Sequence, residues 1–193
     1  NNISKSYLFK LSIPIFFSNL AIPLVGIVDT GLMGHYGTEK YLAAVSIATS
    51  VITMIFWSFG FLRMGTVGLI SQAYANKNFN EIAFITTRYL IIALLASLII
   101  ILLKQPIFYL IESSFKTSLE TQEFIREYIS TRIYSAPAEL IIYVLVGLYL
   151  GMQKTTISSF LITFFCFGNI ILSSIFVLYL DLGIFGVALG TLT

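Results

Sequence analysis

The sequence has very little charge for its length. Asp, Glu, Lys and Arg make up 10% of the 193 residues, whereas they make up about 25% of an average soluble domain. Apolar residues account for 58% of the chain, so the polar side chains are too few to cover a surface that faces water. The composition therefore predicts a membrane protein.

Other scarcities exclude whole classes of function. The single cysteine, Cys166, excludes a disulfide framework and a cysteine-rich metal site. The single histidine, His35, has no partner at metal-ligand spacing and is expected at the membrane interface. A net charge of +2 leaves no basic surface for nucleic acid, and no glycine-rich phosphate loop occurs. We expect no nucleic-acid partner, no resident metal and no cofactor.

Long uncharged runs predict transmembrane helices, which need about 20 apolar residues each. The first run follows Lys5 and Lys10, as in a signal peptide, but it is too long for one and contains Pro14 and Pro23. The last run is too short for a membrane core of about 30 Å, so the sixth helix is expected to be cut off within the membrane. We predict an all-α membrane bundle that forms one unit over residues 1–193. The predicted helices span about 8–33, 43–72, 82–103, 123–150, 155–180 and 182–193.

The more polar segment 104–122 is expected to be an interfacial connection with a short amphipathic helix. The short loops on one side of the membrane carry more lysine than those on the other, which places the N-terminus in the cytoplasm. The lysines expected inside are Lys5, Lys10, Lys77 and Lys154, and those expected outside are Lys40, Lys104 and Lys116.

Three ionisable residues are expected to lie within the membrane, away from the helix ends, where a charge is costly and usually functional: Asp29, Arg63 and Glu139. A carboxylate among apolar side chains can take up a proton or bind a cation in place of the lost water, so Asp29 is suited to couple transport to an ion gradient. Pro23 lets the helix bend beside it. The alternative is that Asp29 lies in water at the outer interface.

The other polar residues of these helices suggest partners for the charged ones. Asn169 and Ser173 share one face of the fifth helix, and Thr191 reaches a similar depth in the sixth. They could converge on Asp29 as hydrogen-bond partners, or only hold the helices together. Arg63 and Glu139 both reach the inner half of the membrane, where a structural ion pair would lower the cost of both charges.

Residues 28–31 read Val-Asp-Thr-Gly and contain the tripeptide of aspartic proteases. Those enzymes need two such carboxylates on loops, sharing a proton. Here the tripeptide ends a predicted transmembrane helix and occurs once, so we expect no enzymatic activity.

Short motifs distributed along the chain resemble a known family. They are IFFSN (15–19), PLVGIVDT (23–30), GH (34–35), FLRMGT (61–66), GL (68–69), QA (72–73), SAPA (135–138), LGMQ (150–153), NI (169–170) and GVAL (186–189). Together they resemble the multidrug and toxic compound extrusion (MATE) family, in particular its DNA-damage-inducible (DinF-like) branch. The resemblance covers nearly the whole chain.

This resemblance implies a cation-coupled antiporter of the inner membrane that exports drugs and other amphipathic, often cationic, compounds. It also implies a fold of 12 helices in two lobes, of which this chain resembles the N-terminal one, so a second lobe and membrane lipids are expected partners. The family's coupling acid falls on Asp29, its helix-five asparagine on Asn169 and its helix-six threonine on Thr191, while a helix-four tyrosine falls on Tyr128.

One position departs from the family pattern. Four residues after the asparagine many members have an aspartate, and this sequence has Ser173. A sodium site would lose a negative charge, because hard cations favour charged oxygen ligands. The departure favours proton coupling through Asp29, or impaired coupling. The alternatives left open are a lipid or oligosaccharide-lipid flippase of the same superfamily and a non-transporting fragment of a transporter.

Overall fold

The computed structural model describes residues 5–36, 39–115 and 117–192. Lys116, and the side chains of Lys5, Lys10, Pro23 and Lys40, which entered the predictions above, lie outside this description. The described ranges contain helices and no strand. The helices are α1 (Lys5–Tyr36), α2 (Glu39–Ser58), α3 (Phe61–Ala75), α4 (Phe79–Leu102), α5 (Lys104–Ser114), α6 (Leu119–Arg132), α7 (Ala136–Gly151), α8 (Thr155–Leu178) and α9 (Gly183–Leu192), with a 3₁₀ segment at Ile133–Ser135 between α6 and α7.

The predicted all-α membrane fold is confirmed. Within the described ranges, four segments are long and apolar enough to cross a membrane, and they correspond to the second to fifth predicted helices. These segments are Tyr41–Ala75, Phe79–Leu102, Leu119–Gly151 and Thr155–Leu178. The first predicted helix corresponds to α1, whose 32 residues, at about 1.5 Å each, exceed a membrane core of about 30 Å. The sixth corresponds to α9, a shorter apolar helix of 10 residues.

Two of the predicted helices are divided in the structure. The second is interrupted at Phe59 and Gly60, whose amide groups donate to carbonyls three residues earlier, at 3.0 and 2.9 Å. Glycine weakens a helix interior, so the tighter turn forms there. The fourth begins at Leu119, because Ser118 caps it by accepting a hydrogen bond from the amide of Thr121 at 3.3 Å. It is then divided by the 3₁₀ segment.

The turn between α7 and α8 shows how these helices end. Gln153 has a left-handed backbone, with φ of 60°. Its amide donates to Leu150, and the amide of Lys154 donates to Tyr149 at 2.8 Å. This pair of bonds satisfies carbonyls that the end of α7 would otherwise leave unpaired, and it lets α8 reverse direction within a few residues.

The central element of the bundle is the α6–α7 pair. α2 and α9 pack against α6, and α3 and α4 pack against α7, while α1 lies along α8 and α8 contacts α9. Buried core residues on these helices include Ile52, Ile129, Leu140 and Val187. α5 has buried Phe108 and Ile111 and exposed Tyr109 and Leu110, which is the amphipathic pattern predicted for segment 104–122.

Candidate functional site

Asp29 lies inside the bundle. Its residue surface is 7% exposed, so the alternative that it lies in water at the interface is wrong. The Oδ1 atom of Asp29 is buried and has no hydrogen-bond partner among the described residues. Buried carboxylate oxygens are usually paired because losing water without a new bond is costly. This oxygen is therefore available to a proton or a ligand.

Tyr128 on α6 is also buried inside the bundle. It is 2% exposed, and its hydroxyl accepts a hydrogen bond from the Thr49 hydroxyl of α2 at 3.2 Å. The charge of Asp29 acts on this phenol group. Tyr128 therefore packs against α2, and its place beside Asp29, which the resemblance implies, stays a prediction.

Arg132, at the end of α6, is a buried charge that the sequence reasoning missed. Its Nη2 donates to Oε1 of Glu139 at 2.8 Å, and the side chains are 11% and 28% exposed. Its Nη1 donates to the hydroxyl of Ser135, and its guanidinium carbon lies 5.4 Å from the centre of the Phe56 ring. The positive charge also acts on Asp29. Arg132 thus carries a charge that is paired with Glu139 inside the bundle.

The predicted ion pair between Arg63 and Glu139 is wrong, because Glu139 forms its salt bridge with Arg132. Arg132 precedes Glu139 by seven residues in one nearly continuous helix, so two helical turns bring the side chains onto the same face. Arg63 lies in the same region, since its charge and that of Glu139 both act on Tyr143. The seven-residue spacing of Arg132 and Glu139 was the signal that could have predicted the correct pair.

Asn169, Ser173 and Thr191 lie at the contact of α8 with its neighbours. Oδ1 of Asn169 and Oγ of Ser173 are buried without hydrogen-bond partners in the described part of the chain. The Thr191 hydroxyl donates to the carbonyl of Val187 in its own helix at 3.0 Å. These oxygens therefore do not pair with Asp29 in this structure. Oδ1 of Asn169 and Oγ of Ser173, like Oδ1 of Asp29, remain free acceptors.

The free acceptors decide which ligands the site could hold. Among the described residues, no group of three or more His, Cys, Asp and Glu side chains is placed to hold a metal ion. The unpaired oxygens of Asp29, Asn169 and Ser173 are the atom type that protons and hard cations bind. His35, the single histidine of the sequence, is exposed in the last turn of α1.

These features define a polytopic α-helical membrane protein with a buried, incompletely paired carboxylate at its helix contacts. The chain belongs to the MATE family, because the family model described as MatE matches residues 14–175. The resemblance seen in the sequence motifs is thereby confirmed.

Individual relatives support the same assignment. The chain is 36% identical over 188 residues to DNA damage-inducible protein F of Escherichia coli, covering 97% of this chain and 41% of that protein. It is 24% identical over 191 residues to the multidrug export protein MepA of Staphylococcus saprophyticus, covering 97% and 42%. The chain therefore spans about two fifths of the length of these relatives.

Solved structures show the same fold. An outward-facing multidrug resistance MATE family transporter of the MOP superfamily superposes with a TM-score of 0.86 at 23% identity, covering 94% of this chain and 40% of that one. A MOP superfamily transporter from Pyrococcus furiosus superposes with a TM-score of 0.85 at 23% identity, with the same coverage. The helical arrangement described above is therefore that of about two fifths of a MATE transporter.

Proposed function

We propose that this chain forms one lobe, the N-terminal one, of a cation-coupled antiporter that exports drugs or other amphipathic, cationic compounds. The observation that supports this function is the buried carboxylate of Asp29 with its unpaired Oδ1. Transport proteins use such groups because protonation or cation binding changes the cost of keeping them in an apolar surrounding. In this proposal Asp29 is the coupling group, and Tyr128, Asn169, Ser173 and Thr191 are its candidate partners.

The coupling ion in this proposal is H+. A sodium ion would need several oxygen ligands with negative charge, and where many family members have a second acid this chain has the neutral Ser173. A proton needs only the one free oxygen of Asp29.

The substrate class follows from the balance of charge near the site. A flippase for anionic lipids would need free cationic groups along its cavity. Arg132, the most buried arginine of the site, is neutralised by Glu139, which favours export of amphipathic or cationic compounds. We place the protein in the inner membrane with its N-terminus in the cytoplasm, in line with the lysine distribution.

The test is a dye-efflux assay in proteoliposomes. It compares this chain alone with the chain extended through a second lobe, because alternating access needs two halves that move around a shared site. We expect efflux only from the extended protein, driven by an imposed pH gradient and not by a sodium gradient. Efflux driven by sodium alone would contradict proton coupling, and efflux by the short chain alone would contradict the one-lobe assignment.

A further inference from the structure

We infer that the cavity between α5 and α6 binds the headgroup of a phospholipid that carries a phosphodiester and a primary ammonium group. This goes beyond the proposed function, because it concerns a membrane lipid and depends neither on Asp29 nor on the coupling ion. The cavity measures about 430 Å³, which is within the range of small-ligand sites. It lies at the end of α4, which is the outer side of the membrane in the orientation proposed above.

The side chains around the cavity place it at the level of the lipid headgroups. Tyr109 of α5 and Tyr134 of the 3₁₀ segment are 73% and 52% exposed, and exposed tyrosines are typical of the interface between lipid and water. The membrane-spanning α4 ends at Leu102, two residues before the cavity-lining Lys104. One face of α4 leads to this point with exposed apolar side chains at helical spacing: Ile91, Leu95, Leu98 and Leu102. This face can hold the acyl chains of a lipid whose headgroup is in the cavity.

Lys104 is the cation of the cavity that is available to a ligand. Its Nζ lies 5.3 Å from the centre of the Tyr134 ring and 5.9 Å from that of the Phe108 ring, and it forms no salt bridge with any described residue. Arg126, the second cation of the cavity, is already paired with Glu112. A phosphodiester oxygen would therefore accept a hydrogen bond from Lys104.

The acids of the cavity lie on α6. Glu123 and Glu127 are four residues apart on one face of this helix, and Ser130 follows on the same face. Neither carboxylate forms a salt bridge within the ranges that the structure describes. A primary ammonium has three N–H donors, and these three side chains offer oxygen acceptors for them.

The presence of both signs of charge selects the ligand. A purely anionic headgroup would face the two carboxylates, and a purely cationic one would face Lys104. A headgroup with both charges forms charge-assisted hydrogen bonds at each end. Quaternary ammonium groups have no N–H donor and are recognised by aromatic faces, but Phe108 is 5% exposed and already contacts Lys104 and Arg126. The cavity therefore favours phosphatidylethanolamine over phosphatidylcholine and phosphatidylglycerol.

The test is lipid binding to the delipidated protein, extended through a second lobe and followed by native mass spectrometry. The probes are phosphatidylethanolamine, phosphatidylcholine and phosphatidylglycerol with identical acyl chains, and free phosphoethanolamine. We expect phosphatidylethanolamine to bind about tenfold more tightly than the other two lipids, because only it forms the charged hydrogen bonds at both ends. Equal binding of the three lipids would overturn the inference. Free phosphoethanolamine that binds as tightly as the lipid would overturn the assignment to a lipid.

Substitutions on the two sides of the cavity should have different effects. Lys104→Gln should weaken phosphatidylethanolamine binding about tenfold, because the phosphodiester loses a charge-assisted hydrogen bond. The double variant Glu123→Gln, Glu127→Gln should also weaken it, but should strengthen phosphatidylglycerol binding, because the carboxylates that repel an anionic headgroup are gone. The controls are Lys154→Gln and Glu81→Gln, which make the same changes at exposed positions outside the cavity.

The control variants should bind all three lipids like the wild type. Cavity variants that differ from the wild type no more than these controls do would overturn the inference. Acetylation of the lipid-free protein, located by peptide mass spectrometry, tests whether the cavity is open. We expect Lys104 to be modified, and its protection in the absence of lipid would show that the second lobe covers the cavity, which would overturn the lipid assignment.

Discussion

Replacing Gly190 by Ala should force α9 away from α8. A β-carbon at Gly190 would lie 2.5 Å from the backbone nitrogen and 2.6 Å from the Cα of Ser173. Non-bonded carbon atoms pack best at about 3.5–4.0 Å, so the two helices would have to separate by roughly 1 Å. Ser173 is completely buried, and its backbone atoms cannot move aside without moving the helix.

The size of the effect follows from two opposing contributions. Forcing a methyl group into a packed contact costs about 1–3 kcal/mol, whereas Ala in place of Gly in a helix gains about 0.5–1 kcal/mol. Gly168→Ala in α8 is the matched control, because its β-carbon would meet no atom within 4 Å.

The assay is thermal unfolding in detergent, followed by circular dichroism. Because the gain from Ala is common to both variants, they differ by the packing cost alone, and at about 2–4 °C per kcal/mol Gly190→Ala should unfold roughly 2–12 °C below Gly168→Ala. Equal unfolding temperatures for the two variants would refute the close contact between α8 and α9.

Three further substitutions test side-chain interactions in the same unfolding assay. Arg132→Leu should cost about 3 kcal/mol by leaving Glu139 unpaired, and the double variant Arg132→Leu, Glu139→Leu should recover most of that loss; a double variant no more stable than the single one contradicts the ion pair. Tyr128→Phe should cost about 1 kcal/mol because the Thr49 hydroxyl loses its acceptor, and wild-type stability would count against that bond. Arg126→Gln removes an exposed salt bridge and should change stability by less than about 1 kcal/mol; a larger loss would show that this bridge is not a simple surface pair.

The bundle was largely predictable from the sequence, because a long uncharged run that spans a membrane mainly forms an α-helix. The division of the second helix at Phe59 and Gly60 was not predictable, because an apolar run does not indicate where the hydrogen bonds change from the α-helical to the 3₁₀ spacing. The 3₁₀ segment after Arg132 escaped prediction for the same reason.

The candidate site was predictable where a single residue carried the signal. Asp29 is a carboxylate in a long apolar run, and the structure buries it, while its role in coupling stays a prediction. The partner of Glu139 was assigned wrongly because ion pairing depends on how each helix is rotated about its axis. Counting residues from the ends of a helix gives the depth of a side chain in the membrane but not the direction in which the side chain points. The free oxygens of Asn169 and Ser173 could be recognised only after packing had shown what they do not touch.

The central claim is that the buried carboxylate of Asp29 couples proton movement to export. The most direct measurement is dye efflux driven by a pH gradient in proteoliposomes, with wild type and Asp29→Asn compared in the chain extended through a second lobe. Asn keeps the size of the side chain and removes its ability to exchange a proton. The account predicts that Asp29→Asn folds and binds dye but loses pH-driven efflux. Efflux at the wild-type rate from Asp29→Asn would contradict it.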